Sequence, residues 1–438
     1  MHRIIALTFI VAFSPTANAQ VNWPQFRGPN AGTSQGEKLP LKWSTTENVE
    51  WKIEVPGRGW SSPVVWNGRI FLTTVEKKGE YEAAKKGLYF GGERMKPSAD
   101  EHRWLVMCLD FATGKTLWRH EAAKGKPAGP IHIKNSYASE TPITDGERLY
   151  ALFGNQGLYC YDLDGKPLWS KPIPALPTKF GWGTASSPVL HGDKLFIAND
   201  NEKASYLLAL DKKTGKELWR VERDEKSNWA TPFVWTNEKR TELVVNGTNK
   251  VRSYDLDGNV LWEMKSASQI TIPTPFARHG LLYIGSGYVL DPNKPIVAIR
   301  PGASGDITLP ADKDSSAFVA WRQKKAGPYN PSFLVYGDLM YVLYDQGMLG
   351  CYDAKTGTMV YDRERLGGMF TVSPWAYRNK VFALNEDGVT TVVEAGKAFQ
   401  IVGKNSLDEM CMATPAVYGD SLLIRTLTKL YRIREKTP

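Results

Sequence analysis

The amino-acid sequence predicts an all-β protein, an eight-bladed β-propeller with four-stranded antiparallel blades. Three observations predict this fold. A hairpin pattern keyed by proline occurs eight times, a second hairpin carries a tryptophan signature, and the N-terminal region supplies the strand that the last copy lacks. Repeats of about 40–45 residues that each form four strands are typical of propeller blades.

The first hairpin of each copy begins at a proline. In "SSPVVWNGRIFL", from Ser61, a short apolar run leads to an Asn-Gly turn and a second apolar run, which is the pattern of a β-hairpin. The eight key prolines are Pro63, Pro142, Pro188, Pro232, Pro275, Pro331, Pro374 and Pro415. By subtraction they are 79, 46, 44, 43, 56, 43 and 41 residues apart. The two long gaps indicate insertions in the first and fifth units.

Two copies begin with Gly-x-Gly, which raises the alternative of a phosphate-binding loop. A dinucleotide loop has a third glycine three residues after the second and continues into a helix. Ser62 and Ser186 stand at that place, and strand-forming residues follow them. The repeat therefore accounts for these glycines better than a nucleotide site does.

Five copies continue with a second hairpin built on an Asp–Gly turn. The aspartate side chains are placed to bond backbone N–H groups of the turn, and the glycines accept its positive φ. These pairs are Asp110 and Gly114, Asp162 and Gly165, Asp211 and Gly215, Asp255 and Gly258, and Asp353 and Gly357. We expect the aromatic residue that follows to fill the space between neighbouring sheets. These residues are Trp118, Trp169, Trp219, Trp262 and Tyr361.

The two ends of the repeat array complement each other. The eighth copy ends at Lys429–Ile433, after three strands, whereas "NVEWKIEV", Asn48–Val55, precedes the first key proline. Its Trp51 matches the tryptophans of the other fourth strands. We therefore expect the N-terminal strand to complete the last blade, because closure removes the exposed sheet edges of an open array.

The Asp-x-x-Thr-Gly-x-x-x-Trp hairpin resembles the tryptophan-docking repeat of the PQQ-like, or quinoprotein-like, β-propellers. It stands at Asp110 and Asp211 and, with Tyr in place of Trp, at Asp353. "WPQFRGP", Trp23–Pro29, is similar to an N-terminal signature of secreted members. The resemblance implies the propeller fold. It leaves function open, because members include alcohol and sugar dehydrogenases that carry pyrroloquinoline quinone and a cofactor-free propeller subunit of the outer-membrane β-barrel assembly machinery.

The first twenty residues have the pattern of a secretory signal. Arg3 precedes an apolar stretch, Ile4–Phe13, and Ala17-Asn18-Ala19 forms a small-residue cleavage site. We expect a signal peptide at 1–20, an N-terminal extension at 21–47 and the propeller at 48–438, with an insertion at 76–103 in the first blade. No other stretch has the ~18 apolar residues of a membrane span. No cysteine follows the cleavage site for a lipid anchor, so we expect a periplasmic or secreted monomer.

The distribution of charged residues bears on the kind of partner. The formal charge is +9, or +8 once Arg3 leaves with the signal, and charges of both signs are interspersed. We therefore expect no nucleic-acid partner, since a basic patch or stripe is what marks one.

Cys108, Cys160 and Cys351 occupy one repeat position on different blades, so they are expected to be too far apart for disulfides. We predict buried core thiols there, whereas Cys411 is harder to place.

The loops that enter the innermost strands are expected to open on one face, beside the central channel. The residues before the key prolines are aromatic or polar in most blades. Flat aromatic faces beside polar side chains suit a planar quinone, a sugar ring or a peptide, and an arginine can pair with an anion. The alternative is that the tryptophans only fill gaps between blades. The predicted binding residues are Arg58, Trp60, Asn135, Tyr137, Trp182, Trp229, Tyr329 and Asn330.

Two functions remain from the sequence. The first is a binding or scaffold propeller of the cell envelope, whose partner is an envelope protein, a glycan or a small planar ligand at the channel mouth. The alternative is a quinoprotein-type oxidoreductase with pyrroloquinoline quinone and calcium. Asp200, Asp345 and Asp387 are candidate calcium ligands, although no spacing marks a metal site. The Cys-Cys pair and the CxxCH haem motif of the dehydrogenases are missing from the sequence, which favours the first function.

The first-blade insertion is expected on the same face. Within it, Glu82–Lys86 predicts a helical turn, and Tyr89–Pro97 predicts a mobile lid with glycine hinges, with disorder as the alternative.

Overall fold

The computed structural model describes residues 21–88, 96–265 and 268–436. The predicted signal peptide, residues 1–20, and residues 89–95 of the predicted lid lie outside these ranges. The described residues form eight sheets, which confirms the predicted eight-bladed propeller. Within them the helical structure is one 3-10 turn, Lys179–Gly181, and no helix is long and apolar enough to cross a membrane.

Strands are numbered along the chain, and β1 (Val49–Glu54) belongs to the last blade. Every other blade runs in chain order from an innermost strand beside the channel to an outermost strand at the rim. Blade 1 consists of β2 (Val64–Trp66), β3 (Arg69–Lys77), β4 (His102–Asp110) and β5 (Thr116–Gly125). Blade 2 consists of β6 (Ile143–Thr144), β7 (Arg148–Phe153), β8 (Gly157–Asp162) and β9 (Pro167–Pro172). Blade 3 consists of β10 (Val189–His191), β11 (Lys194–Asn199), β12 (Ser205–Asp211) and β13 (Glu217–Arg223).

The fourth and fifth blades share an additional strand, β21 (Gly305–Asp306), which leaves blade 5 to pair in parallel with the outer edge of blade 4. Blade 4 consists of β14 (Phe233–Thr236), β15 (Thr241–Val245), β16 (Lys250–Tyr254) and β17 (Val260–Lys265). Blade 5 consists of β18 (Phe276–Arg278), β19 (Leu281–Gly285), β20 (Ile296–Ile299) and β22 (Val319–Gln323).

The last three blades complete the ring. Blade 6 consists of β23 (Leu334–Tyr336), β24 (Leu339–Tyr344), β25 (Met348–Asp353) and β26 (Met359–Arg365). Blade 7 consists of β27 (Trp375–Tyr377), β28 (Lys380–Leu384), β29 (Val389–Glu394) and β30 (Ile401–Ser406). Blade 8 consists of β31 (Ala416–Tyr418), β32 (Ser421–Arg425) and β33 (Lys429–Arg434), together with β1.

The N-terminal strand closes the ring, as the sequence predicts. β1 pairs antiparallel with β33, with Lys52 opposite Tyr431. The indole Nε1 of Trp51 donates to the carbonyl oxygen of Phe111 in blade 1 at 3.0 Å. The closing strand therefore joins blade 8 to blade 1 by the tryptophan contact that the repeat uses elsewhere.

The outer-strand tryptophans dock onto the next blade. Trp118, Trp169 and Trp219 donate their indole N–H to the carbonyls of Leu163, Lys212 and Leu256 at 3.0, 3.2 and 3.0 Å. The indole lies on the glycine of the next Asp–Gly turn, where any side chain would collide. A Cβ at Gly215, for example, would lie 2.6 Å from the Trp169 ring, and the φ of this glycine is +71°. The aspartate caps are also confirmed, for example Thr113 N–H to Asp110 Oδ1 at 2.8 Å.

Blade 4 departs from the docking pattern, and blade 5 keeps it with a tryptophan that the sequence pattern did not include. Trp262 instead donates to Glu242 Oε2 in its own blade at 2.7 Å, because β21 covers the outer edge of blade 4. Trp321 makes the blade 5 contact, with Nε1 at 3.1 Å from the Ala354 carbonyl oxygen. The sequence pattern missed Trp321 because the blade 5 insertion replaces the Asp–Gly turn before it.

The proline key of blade 6 is out of register by one residue. Ser332 stands two residues before β23, as Ser62 does before β2, so Phe333 is the equivalent of Pro63. Pro331 is therefore displaced towards the mouth, which corrects its assignment as an equivalent key. The four cysteines are buried and unpaired, as predicted for the three repeat positions.

The segment Trp23–Ser34 crosses the channel on the side away from the mouth. At one end Trp23 exchanges backbone hydrogen bonds with Val65 in blade 1, at 2.8 and 2.9 Å. At the other end Ser34 N–H donates to the Ala376 carbonyl oxygen in blade 7 at 3.0 Å. Between them, Arg27 Nη2 donates to the Phe333 carbonyl oxygen in blade 6 at 2.7 Å. The segment spans the ring and closes one end of the channel.

Candidate functional site

A cavity of about 620 Å³ occupies the channel mouth. This volume lies within the range of about 300–1,000 Å³ that is typical of small-molecule sites. The loops that precede the innermost strands form its walls, and Phe26 of the crossing segment forms part of its lining. Phe26 thus brings the crossing segment into the lining of the cavity.

Aromatic rings form two walls of the cavity. On one wall Phe180, Trp182 and Trp229 follow one another, with centroid separations of 5.4 and 5.6 Å. Phe180 is half exposed and Trp229 is buried, so this wall runs from the rim to the interior. On another wall the centroids of Tyr288 and Tyr329 are 5.3 Å apart. Such faces can stack on a flat ligand.

A belt of hydroxyl groups surrounds the cavity. We call it the hydroxyl belt, and it consists of Ser62, Thr141, Ser187, Thr231, Thr274, Ser332, Ser373 and Thr414. The backbone N–H of Ser62 donates to Thr141 Oγ1 in the next blade at 3.0 Å. Five further bonds of this kind link successive blades at 2.9–3.2 Å. The belt thus fixes the inner ends of the blades relative to one another.

A buried carboxylate ties the mouth loops of distant blades together. Glu386 of blade 7 accepts from Lys134 Nζ at 2.7 Å and from Thr371 Oγ1 at 2.7 Å. Its second oxygen accepts the backbone N–H of Gly87 at 2.6 Å. The cation that lines the cavity, Lys134, is therefore largely neutralised by a carboxylate that is itself 1% exposed.

Part of the first-blade insertion lies over the mouth. We call residues 82–88 the mouth strap. Its Lys86 forms an ion pair with Asp387 at 2.6 Å, and Gly87 accepts from Lys134 Nζ at 2.9 Å. The strap has no helical turn, so the expected helix at Glu82–Lys86 is wrong. The backbone of the strap forms hydrogen bonds with residues of blades 1, 2 and 7, at Glu82 and Gly87, and these bonds hold it extended.

The structure brings six of the eight predicted binding residues into the cavity lining. They are Trp60, Asn135, Trp182, Trp229, Tyr329 and Asn330. The indole N–H of Trp60 donates to the Lys134 carbonyl oxygen at 2.9 Å, and that of Trp229 donates to the Gly183 carbonyl oxygen at 2.7 Å. The indole N–H of Trp182 is buried and has no hydrogen-bond partner among the described residues. Of these three indoles, Trp182 is therefore the one whose N–H is not used by a described protein acceptor.

Two of the amide side chains are used within the framework. Asn135 Nδ2 donates to the carbonyl oxygen of Trp182 at 2.8 Å, and its Oδ1 accepts from Ser139 Oγ at 2.6 Å. Asn330 Nδ2 donates to Asp345, whose side chain also accepts the Tyr329 N–H at 3.2 Å. These amides line the cavity, but their hydrogen bonds mainly hold its loops in position.

The other two predicted residues do not line the cavity, which corrects the prediction for them. Arg58 turns towards the insertion, where Nη1 donates to the Glu82 carbonyl oxygen at 2.8 Å and the guanidinium lies over the Tyr81 ring. Tyr137 packs against His102 and donates its hydroxyl to the Gly129 carbonyl oxygen at 2.9 Å. The position of a residue before a proline does not specify the direction of its side chain.

Sequence reasoning missed the hydroxyl belt, Phe26 and several wall residues. A serine or threonine directly precedes the key proline in seven copies, and this repeated hydroxyl could have indicated the belt. Phe26 lies in the N-terminal extension, and nothing local connects it with the channel. The other cavity residues that were missed include His132, Lys134, Phe180, Tyr288, Leu290 and Gln346.

The three candidate calcium ligands do not form a metal site. Asp200 is bound by Arg223 at 2.8 and 3.0 Å, Asp345 by Asn330, and Asp387 by Lys86. Among the described residues no three His, Cys, Asp or Glu side chains come together as a metal-binding group. Calcium prefers six to eight oxygen ligands. The residues present therefore do not fit a quinone site built on calcium, and we derive no redox step from them.

Buried charges surround the cavity on several sides. Burial raises the pKa of the Asp345 carboxyl to about 6, against the bonds from Asn330 that lower it. Burial lowers the pKa of Arg27 to about 9 and that of Arg425 to about 9. Arg425 Nη1 donates to Ser61 Oγ at 2.8 Å and to the Thr73 carbonyl oxygen at 2.9 Å. The two arginines are held by neutral oxygens, so each keeps its positive charge close to the belt.

Comparison with known proteins agrees with this architecture. The family model described as "Outer membrane protein assembly factor BamB" matches residues 33–180 and 164–308, which together exceed half of the chain. The outer membrane protein assembly factor BamB of Burkholderia pseudomallei (strain K96243) is 24% identical over 205 residues, covering 42% of this chain and 50% of that protein. Polyvinylalcohol dehydrogenase of a Pseudomonas species is 22% identical over 353 residues, covering 68% and 48%. The matches therefore span about half the length of these curated relatives.

Solved structures show the same fold. The crystal structure of BamB from Moraxella catarrhalis has a TM-score of 0.58 at 11% identity, covering 89% of this chain and 98% of that one. The computationally designed protein Ika8 has a TM-score of 0.55 at 11% identity, covering 88% and 100%. At this identity the likeness concerns the fold alone. On the family match, the chain belongs to the BamB-like family of PQQ-like repeat β-propellers.

Proposed function

We propose that this protein is a binding propeller of the cell envelope whose ligand site is the cavity at the channel mouth. The observation that carries the proposal is a cavity of about 620 Å³ at the channel mouth, with neighbouring aromatic rings in its walls. A site of this size and lining suits a small ring-containing ligand, such as a sugar unit of a glycan. A scaffold role towards an envelope protein is compatible with it, because the rim of the ring is separate from the mouth.

The envelope location rests on three features. The predicted signal peptide would export the chain, and the resemblance of WPQFRGP points to secreted members of the family. A similar protein carries the name outer membrane protein assembly factor, which places that relative at the envelope. Fractionation of cells that express the full chain tests this part, and recovery in the cytoplasm would contradict it.

Tryptophan fluorescence tests the binding site directly. Trp182 stands in the cavity wall, so ligand stacking should change its emission. We expect at least one member of a panel of glucose, N-acetylglucosamine, glucuronate and benzoate to change it. Trp182→Ala should then weaken binding by about tenfold, since stacking and one hydrogen bond contribute about 1–2 kcal/mol.

Trp118→Ala is the matched control for this experiment. Trp118 docks one blade on another far from the cavity, so its loss should lower stability and leave the affinity of the folded protein unchanged. If the panel leaves the fluorescence unchanged, or if Trp182→Ala binds as tightly as the original protein, the cavity is not the binding site.

The second candidate function is a quinoprotein-type oxidoreductase. The similarity to polyvinylalcohol dehydrogenase over 68% of the chain is the observation that favours it. Incubation with pyrroloquinoline quinone and calcium, followed by absorbance and a dye-coupled assay on polyvinyl alcohol and simple alcohols, tests it. The aspartates discussed above are already bound by protein side chains, so we expect no calcium-dependent uptake and no turnover.

A further inference from the structure

We propose that the cavity recognises an acidic ligand, a ring compound whose carboxylate is bound at the hydroxyl belt. This inference rests on the proposed function and specifies the chemical class of the ligand. It follows from the direction of the hydrogen bonds in the belt and from the charges that lie close to it.

The belt presents hydrogen-bond donors to the cavity. A serine or threonine hydroxyl has one hydrogen to donate and two lone pairs to accept with. Six of the belt hydroxyls use a lone pair to accept a backbone N–H from the neighbouring blade. Among the described residues none of the eight donates its hydrogen to a protein acceptor. Each belt hydroxyl therefore keeps its hydrogen for a ligand acceptor, and an ionised carboxylate, which only accepts, can take several such hydrogens at once.

The other polar groups of the cavity are mostly engaged within the protein. The Lys134 ammonium donates to Glu386 and to the Gly87 carbonyl oxygen, and the amide oxygen of Asn135 accepts from Ser139 Oγ. The indole N–H of Trp182 has no partner among the described residues, although its nitrogen is fully buried. The belt hydroxyls are therefore the main donors that the cavity offers to a ligand.

Two buried cations lie next to the belt without a carboxylate partner. Arg27 follows Phe26, which lines the cavity. Its Nη2 donates to the carbonyl oxygens of Phe333 and Ala31 at 2.7 and 2.8 Å. Its Nε and Nη1 are buried and have no hydrogen-bond partner in the described part of the chain. Arg425 lies beside Ser61, which adjoins the belt. Burying a cation without a counter-charge is costly, so an anionic group in the cavity would offset part of that cost.

The negative charges near the cavity are held by their own partners. Glu386 is paired with Lys134, and it accepts two further hydrogen bonds. Asp345 accepts the backbone N–H groups of Tyr329 and Asn330 as well as the side chain of Asn330. Two buried carboxylates oppose an acidic ligand: Asp345, and Glu140, which precedes the belt residue Thr141 and accepts from Thr184 Oγ1 and the Gly154 N–H. They lie at blades 6 and 2, whereas the belt donors surround the channel.

Matched pairs of ligands test the proposal. The probes are D-glucuronate against D-glucuronamide, and benzoate against benzamide, because each pair differs only in the carboxylate. The full mature chain is titrated with each probe, and indole fluorescence and calorimetry report binding. We expect at least one acid to bind about tenfold or more tightly than its amide, as hydrogen bonds to a charged group are stronger than those to a neutral one. Glucuronate and benzoate distinguish a sugar acid from an aromatic acid.

Two belt variants supply the structural control. The hydroxyls of Thr274 and Ser62 accept none of the six bonds that link the blades, so Thr274→Val and Ser62→Ala remove a donor without breaking that framework. We expect them to weaken binding of the acid severalfold, with little effect on the amide and an unchanged melting temperature. Ser332→Ala should instead lower the melting temperature, because the N–H of Thr274 loses its acceptor.

The outcomes separate this inference from the proposed function. Binding of the amides as tightly as the acids would overturn the acidic ligand while leaving the cavity as a binding site. Unchanged acid affinity in both Thr274→Val and Ser62→Ala would overturn the role of the belt. If neither these probes nor the neutral sugars bind, the proposed function itself fails, and this inference fails with it.

Discussion

The docking of each tryptophan on a glycine predicts that Gly215→Ala destabilises the protein far more than a conformationally similar change. A Cβ at Gly215 would lie 2.6 Å from the ring of Trp169, whereas a Cβ at Gly192, in the same blade, would meet nothing within 4 Å. Both glycines have positive φ, +71° and +57°. Gly192→Ala is therefore a control that has the backbone strain without the collision.

The magnitude follows from three contributions. An alanine in the left-handed region costs about 1 kcal/mol at either site. At Gly215 the Trp169 ring must also move, which costs about 1–3 kcal/mol as overpacking. The movement would also break the hydrogen bond from Trp169 Nε1 to the Lys212 carbonyl oxygen, which contributes about 1 kcal/mol. We expect Gly215→Ala to lower the free energy of unfolding by about 3–5 kcal/mol and Gly192→Ala by about 1 kcal/mol.

Equilibrium unfolding in urea, followed by far-UV circular dichroism and by indole fluorescence, measures both variants. A docked tryptophan that is displaced should also change its emission in the folded Gly215→Ala protein. Equal destabilisation by the two variants would show that Trp169 does not rest on the turn glycine. The interpretation of the repeated Asp–Gly–Trp pattern as a contact between blades would then be wrong.

Further predictions concern ring closure, titration and the thiols. Deleting residues 48–55 should expose the β33 edge and cause aggregation or a large loss of stability, and a monomeric deletion variant with unchanged melting would contradict closure by β1. The pKa of Asp345 is raised from 3.8 to about 6, so between these pH values the folded protein holds a proton that the unfolded chain releases. Stability should therefore fall as pH rises across this window, and the stability of Asp345→Asn relative to the original protein should increase by up to about 3 kcal/mol between pH 4 and 7; a pH-independent difference would refute this. The four buried thiols should resist an aromatic disulfide reagent in the folded protein and react in urea, and rapid reaction of any of them in the native state would show that it is accessible.

The sequence by itself determined the number of blades, the strand order and the closing strand. These features depend on local chemistry repeated along the chain: turns that need Asp and Gly, apolar runs that form strands, and an indole at a fixed place after each turn. A repeat of this kind can be predicted because every copy packs against its neighbour through equivalent contacts. Blades 4 and 5 departed from it, since an insertion replaces the local turn and sends β21 to another blade.

The candidate site was decided only in part by the sequence. Six of the eight chosen residues line the cavity, because residues before an innermost strand lie at the mouth in any such ring. Arg58 and Tyr137 do not, since the direction of a side chain depends on what packs beside it, here the insertion and the His102 ring.

Only the tertiary structure revealed how the cavity is enclosed. Phe26 reaches it from the N-terminal extension, and Glu386 joins Lys134 from a loop more than 250 residues away in sequence. The belt also needed the ring, because its hydrogen bonds run from one blade to the next. The contacts of Phe26 and Glu386 join residues that are distant in sequence and carry no local pattern, whereas the belt hydroxyls recur before the key prolines but come together only in the closed ring. Their physical origin is the closure of the ring, which brings eight similar strand ends to one axis.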